Sequence, residues 1–136
     1  MSPYQTYIAV CEELAAQAKE NGNAPVGAVI VKDGKIIAQG IEAGNSKADI
    51  TCHAEMEAIR NARAILGKDL SDCILVSTHE PCIMCGYAIR FHKINTVVFQ
   101  QAVQHLGSIT SSMAILTSNE VPPHWAKPPQ IIHLKK

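Results

Sequence analysis

Cys73-Ile-Leu-Val-Ser-Thr-His-Glu-Pro-Cys-Ile-Met-Cys85 reads as a strand running into a helix, with two thiols at the junction. Residues 73–78 have the aliphatic and β-branched composition of a strand. Pro81 suits a first helical position, where a missing N–H costs nothing, and the helix runs to about His92. Thr96-Val-Val-Phe99 follows as another short strand. Cys82 and Cys85, three residues apart on a helix, share a face and can reach one metal ion. Upstream, His53-Ala54-Glu55 offers an imidazole with a carboxylate two residues on. One imidazole and two thiolates are donors that a borderline-soft ion such as zinc accepts. Three protein ligands leave a fourth tetrahedral position for water, which marks a catalytic site.

Outward from that stretch, strands and helices alternate. Ile8, Cys11, Leu14, Ala15 and Ala18 recur at helical spacing from Tyr4 to about Asn21, and Asn21-Gly22-Asn23 ends this first helix. Val26–Val31 reads as a buried strand, and Asp33-Gly34 as a two-residue turn into the returning strand Lys35–Gly40. Residues 41–50 read as a loop. Thr51 is the expected N-cap of a helix reaching Leu66, with Met56, Ile59, Ala62 and Leu66 on its apolar face. Residues 100–119 predict a loop with a short helix near Ser112–Leu116, and Ile131–Leu134 a last edge strand. The pattern predicts an α/β layered fold with an antiparallel hairpin first and parallel pairing after it.

The 136 residues are expected to form one domain, 1–136, with 47% hydrophobic and 18% charged residues. Twelve basic and twelve acidic residues cancel, which argues against a large anionic partner such as a nucleic acid. Lys135-Lys136 reads as a solvated tail. No apolar run is long enough to span a membrane, and Met1-Ser2-Pro3-Tyr4 is no secretory start. Cys11, Cys52 and Cys73 fall in apolar patterns, as reduced buried thiols do, so the expected location is cytoplasmic.

Two other readings of Cys82 and Cys85 compete with a catalytic zinc site. One is a redox dithiol, which needs no distant imidazole. The other is a closed structural zinc site, for which His79, His92 or another Cys would have to supply a fourth ligand. Glu57, four residues from His53, rivals Glu55 on helical geometry, and is read instead as a solvated partner of Arg60 or Asn61.

These motifs resemble the cytidine/deoxycytidylate deaminase-like superfamily, in its branch of guanine deaminases, cytosine deaminases and tRNA adenosine deaminases. The resemblance covers Ala24–Val29, Asp49-x-Thr51-x-His53-Ala54-Glu55 and Glu80-Pro81-Cys82-Ile83-Met84-Cys85, and runs to about Phe99. It implies a three-layer α/β/α sandwich around a mixed five-stranded sheet, and a homodimer. It implies Zn2+ on His53, Cys82 and Cys85, with Glu55 moving a proton from zinc-bound water to the base and then to departing ammonia. Asn45 and the backbone N–H of Ala54 would contact the base. Family guanine and cytosine deaminases also recruit acids from the second half of the chain, where this sequence has only Glu120 beyond Glu80. Gln101, Gln104 and His105 are the substitute candidates, and Phe99 and Trp125 the aromatics that could stack on a base. The expected reaction is hydrolytic deamination of a free nucleobase or nucleoside of guanine or cytosine type. The alternatives are a tRNA adenosine deaminase and, from another class, a non-catalytic zinc or redox module.

Overall fold

The computed structural model describes residues 2–135; Met1 and Lys136, one half of the terminal lysine pair, lie outside them. Helix α1 (Pro3–Glu20) starts where Ser2 Oγ accepts the Tyr4 N–H, and buries the stripe its spacing predicts: Ile8, Cys11, Leu14, Ala15 and Ala18. Strand β1 (Gly27–Lys32) turns through Asp33 and Gly34, at φ 52° and 75°, into antiparallel β2 (Lys35–Ile41). Positive φ at both turn positions matches the twist of the flanking strands, which is why Asp-Gly was legible as a hairpin.

Helix α2 (Ala54–Leu66), β3 (Cys73–His79), α3 (Ile83–Phe91), β4 (Thr96–Gln101) and β5 (Gln130–His133) complete the described elements. The sheet order is β2-β1-β3-β4-β5. β1 also pairs antiparallel with β3, so parallel pairing begins only between β3 and β4 and not directly after the hairpin. Both faces of the sheet are covered. Val29, Val31, Val76 and Val98 pack against α1, while Ala28, Ile30, Leu75 and Val97 pack with residues of α2 and α3. This is the three-layer α/β/α sandwich, and it explains why β1 and β3 read as continuous apolar runs.

Three local expectations change. Thr51 does not cap α2: its N–H and hydroxyl both donate to Asp49 Oδ1, a local turn that competes with capping, and His53 takes the N-cap position. Pro81 lies outside α3, because Cys82, with extended backbone, is the N-cap. The helix near Ser112–Leu116 is absent. The Leu116 N–H donates to Ser108 O, and the Arg90 guanidinium takes the carbonyls of Ile115, Ser118 and Ala126. With their polar groups satisfied by distant partners, these residues need no helix. No helix among the described residues is long and apolar enough to cross a membrane.

Candidate metal centre and active site

The starts of α2 and α3 lie on the same side of the sheet, and each brings its ligand in just before the first turn. His53 is held extended at φ −68°, ψ 152° and Cys82 at φ −73°, ψ 176°. This removes the geometric objection to His53 and Glu55 sharing a site, since only Glu55 lies on the helix. Cys85 follows in the first turn of α3 and is buried. Free N–H groups and partial positive charge at helix starts favour thiolates there.

His53 Nδ1 lies 3.4 Å from Cys82 Sγ and 3.6 Å from Cys85 Sγ, and the three ligating atoms all fall within 4.8 Å of one another. Zinc held tetrahedrally by sulfur at about 2.3 Å and nitrogen at about 2.05 Å needs an N···S edge of about 3.6 Å. The residues fit the ion. Without it they share protons. A hydrogen bond from Cys85, then one from His53, holds the Cys82 thiol down to about 4. Bonding to Cys82 lifts His53 to about 9 and pushes Cys85 well above an ordinary thiol. No fourth protein ligand joins the cluster among the described residues. His92 sits at the far end of α3, bonded to Ala88 O and Arg63. The closed structural site therefore lacks its last ligand.

Glu55 is 4% exposed, and Ser77 Oγ donates to its Oε2 at 3.2 Å. Burial pushes its carboxyl up to about 7. Glu55, His53 and Cys82, together with Ala24, Val26, Glu42, His79, Glu80 and Val103, line a cavity of about 250 Å³. A larger open groove of about 630 Å³ runs along β2 past Gln39 and Asn61, but holds no metal-ligand cluster, so volume does not locate the chemistry. Glu57 bonds Arg60 and Lys47, as a solvated residue does.

The other sequence candidates are placed less centrally. Ala54 opens α2, so its N–H is one of the helix's unpaired donors. Asn45 borders an adjoining recess, but its Nδ2 donates to Gly22 O at 3.1 Å. Gln101, Gln104 and His105 are exposed and do not line the cavity. Phe99 is buried and stacked on His133, and Trp125 packs edge-on against Tyr87 and Phe91 of α3. Sequence reasoning missed Glu42, Ser77, Val103 and the use made of Glu80. The Glu80 carboxylate accepts the N–H groups of Val103, Ile109 and Thr110 and the Thr110 hydroxyl. Burial raises its pKa, yet these donors outweigh burial and hold it below the ordinary carboxyl value. Ser77 alone left a signal: a small hydroxyl residue directly after the aliphatic run Ile74-Leu75-Val76.

A nitrogen–sulfur–sulfur donor set with a buried acid at its side, on a sandwich of this topology, defines a zinc-dependent hydrolytic deaminase. The chain belongs to the cytidine and deoxycytidylate deaminase family, whose zinc-binding region it matches over residues 1–101. It is 40% identical over 111 residues to a tRNA-specific adenosine deaminase of Aquifex aeolicus (strain VF5), covering 81% of this chain and 74% of that one. It is 41% identical over 104 residues to the guanine deaminase of Bacillus subtilis (strain 168), covering 75% and 65%. A solved structure from work on A-to-I editing by tRNA:A34 deaminases superposes with a TM-score of 0.87 at 28% identity, covering 98% of this chain and all of the other.

Proposed function

We propose that the chain deaminates adenosine to inosine in a transfer RNA. The observation that carries this reading is that the second half of the chain brings no free acid to the cleft wall, where the first half supplies only Glu42, which accepts the Gly44 N–H, beside the reacting Glu55. Guanine presents a ring N–H and a 2-amino group, and each needs an acceptor when buried. In the second half of the chain Glu80 is occupied by its own loop, and Glu120 lies in a separate recess beside Met113 and Thr117. Adenine presents neither donor. Its ring nitrogen beside the amine is an acceptor, suited to an acid that is still protonated near neutral pH, as Glu55 is. The cavity also shares Ala24, Glu42 and His53 with the recess beside Asn45 and Ile50, about 340 Å³, which gives room beyond a single base. The tRNA deaminases among the relatives support the same order of preference over a free base. Net charge sums the whole chain and is silent on one face.

His53, Cys82 and Cys85 would hold zinc, which would supply an activated water at neutral pH. Glu55 does the proton work: it takes one proton from the attacking water and gives one to the ring nitrogen next to the reacting carbon, then passes the water's second proton to the leaving amine, while Ser77 Oγ donates to its Oε2. A carboxyl near 7 can both give and take a proton at that pH. The reading carries with it a cytoplasmic homodimer, whose mass light scattering would report.

The test is an anticodon stem-loop RNA with adenosine at the wobble position, run beside guanine, cytosine and their nucleosides, with Glu55→Ala as control. Inosine in the RNA, absent with the variant, is expected. Ammonia from free guanine with no inosine in the RNA would reverse the reading.

A further inference from the structure

His79 lies two residues beyond Ser77 on β3, so both point to one face of the sheet, about 7 Å apart along the strand. Ser77 holds Glu55, and the backbone N–H of His79 donates back to Ser77 Oγ at 3.2 Å. The imidazole lines the cavity beside the carboxylate that serves the reaction.

The state of this ring is set by Thr78. Thr78 Oγ1 accepts the Gly27 N–H at 3.3 Å and lies 2.8 Å from His79 Nδ1. Thr78 is buried, and its hydroxyl proton has no other acceptor among the described residues, so it goes to Nδ1. The ring proton is then on Nε2, which has no hydrogen-bond partner among the described residues. Desolvation lowers the imidazole pKa, which keeps the ring neutral at pH 7. Meanwhile the amide of Asn45 is turned to the Gly22 carbonyl. Among the described residues, His79 Nε2–H is thus an unused side-chain donor in the cleft that holds Glu55.

Adenine carries an acceptor, N7, on the edge that flanks its amine-bearing carbon; cytosine has only a C–H there. We propose that His79 Nε2–H donates to N7 of the bound base, and so selects purines over pyrimidines. This rests on the proposed function only in taking the base for adenine, whose amine lies beside N7.

The test is binding of purine riboside and 7-deazapurine riboside, neither of which carries an amine to lose, to the zinc-loaded full chain by calorimetry. Loss of one neutral hydrogen bond weakens 7-deazapurine riboside about tenfold in the wild type. His79→Leu erases that difference, and His79→Gln, which keeps an N–H donor, restores part of it. The ¹⁵N resonance of His79 Nε2 in the unmutated chain shifts with purine riboside and not with its 7-deaza partner. Equal affinities in the wild type, an undiminished preference in His79→Leu, or no binding of either riboside would overturn the proposal. Absence of inosine in the RNA assay with the N7 preference intact would remove the tRNA reading and leave this one standing.

Discussion

Glu55 is a carboxyl with one side-chain hydrogen bond in a buried position, and its proton has consequences for folding as well as for chemistry. Its folded pKa of about 7 lies above the ordinary 4.5. The folded state therefore holds this proton longer than the unfolded chain does, and loses stability as pH rises from 4.5 to 7. Glu55→Gln cannot ionise. Above pH 7 the metal-free variant should be more stable than the wild type, by about 3 kcal/mol at most. Urea midpoints of both proteins at pH 5 and 7.5 would show a gap that widens with pH; a constant gap would contradict the assignment. The same variant should lose about 10²–10⁴-fold in deamination while still binding zinc. His53 and Glu55 were legible because a ligand and an acid at fixed spacing carry their chemistry in residue type. The orientation of Asn45 was not, because the Gly22 carbonyl that holds it belongs to a turn 23 residues away.

At the scale of elements, the site depends on how α2 and the loop after β4 are seated. Gly40 on β2 lies against the first turns of α2: a Cβ there would press into the Ala54 carbonyl and the Ala58 N–H, both backbone atoms that cannot swing aside. Gly40→Ala should move the start of α2, and with it His53 and Glu55, costing about 1–3 kcal/mol in stability and weakening zinc binding. Unchanged zinc affinity in a competition titration would show that the helix absorbs the methyl without shifting its start. Glu80 seats the other wall. Glu80→Ala leaves three backbone N–H groups without their acceptor, at about 1–3 kcal/mol for each that stays dry. Stability should fall in the order wild type, Glu80→Gln, Glu80→Ala, with faster amide exchange at Thr110 as the local sign. The elements were largely readable, since helical spacing, Asp33-Gly34 and Asn21-Gly22 act over a few residues. The antiparallel pairing of β1 with β3 was not, because apolar runs covered on both faces look alike in either direction. Nor was the course of residues 102–129, which is fixed by Glu80 and Arg90 and not by local pattern.

Across the whole molecule, the metal centre joins parts of the chain that the core only brings near each other. His53 stands at the end of the loop after β2 and Cys82 at the N-cap of α3, 29 residues apart, while Cys85 lies in the first turn of α3. A bound ion ties the start of one helix to the start of the other across a cleft that is otherwise open. The metal-free state also keeps Cys82 ionised beside a protonated His53, a charge pair that the ion would replace with coordination bonds. Metal that binds only the folded chain adds to stability by mass action, about 4 kcal/mol at a free concentration a thousand times Kd. Chelation should therefore lower the melting temperature by several degrees, and restored zinc should return it. Cys85→Ser should melt low and respond to neither treatment, since two remaining ligands hold the ion poorly. A redox dithiol would behave differently: its stability would follow oxidant and reductant and ignore the chelator. Melting curves under those four conditions separate a zinc centre from a disulfide on one protein preparation, with no assumption about the substrate.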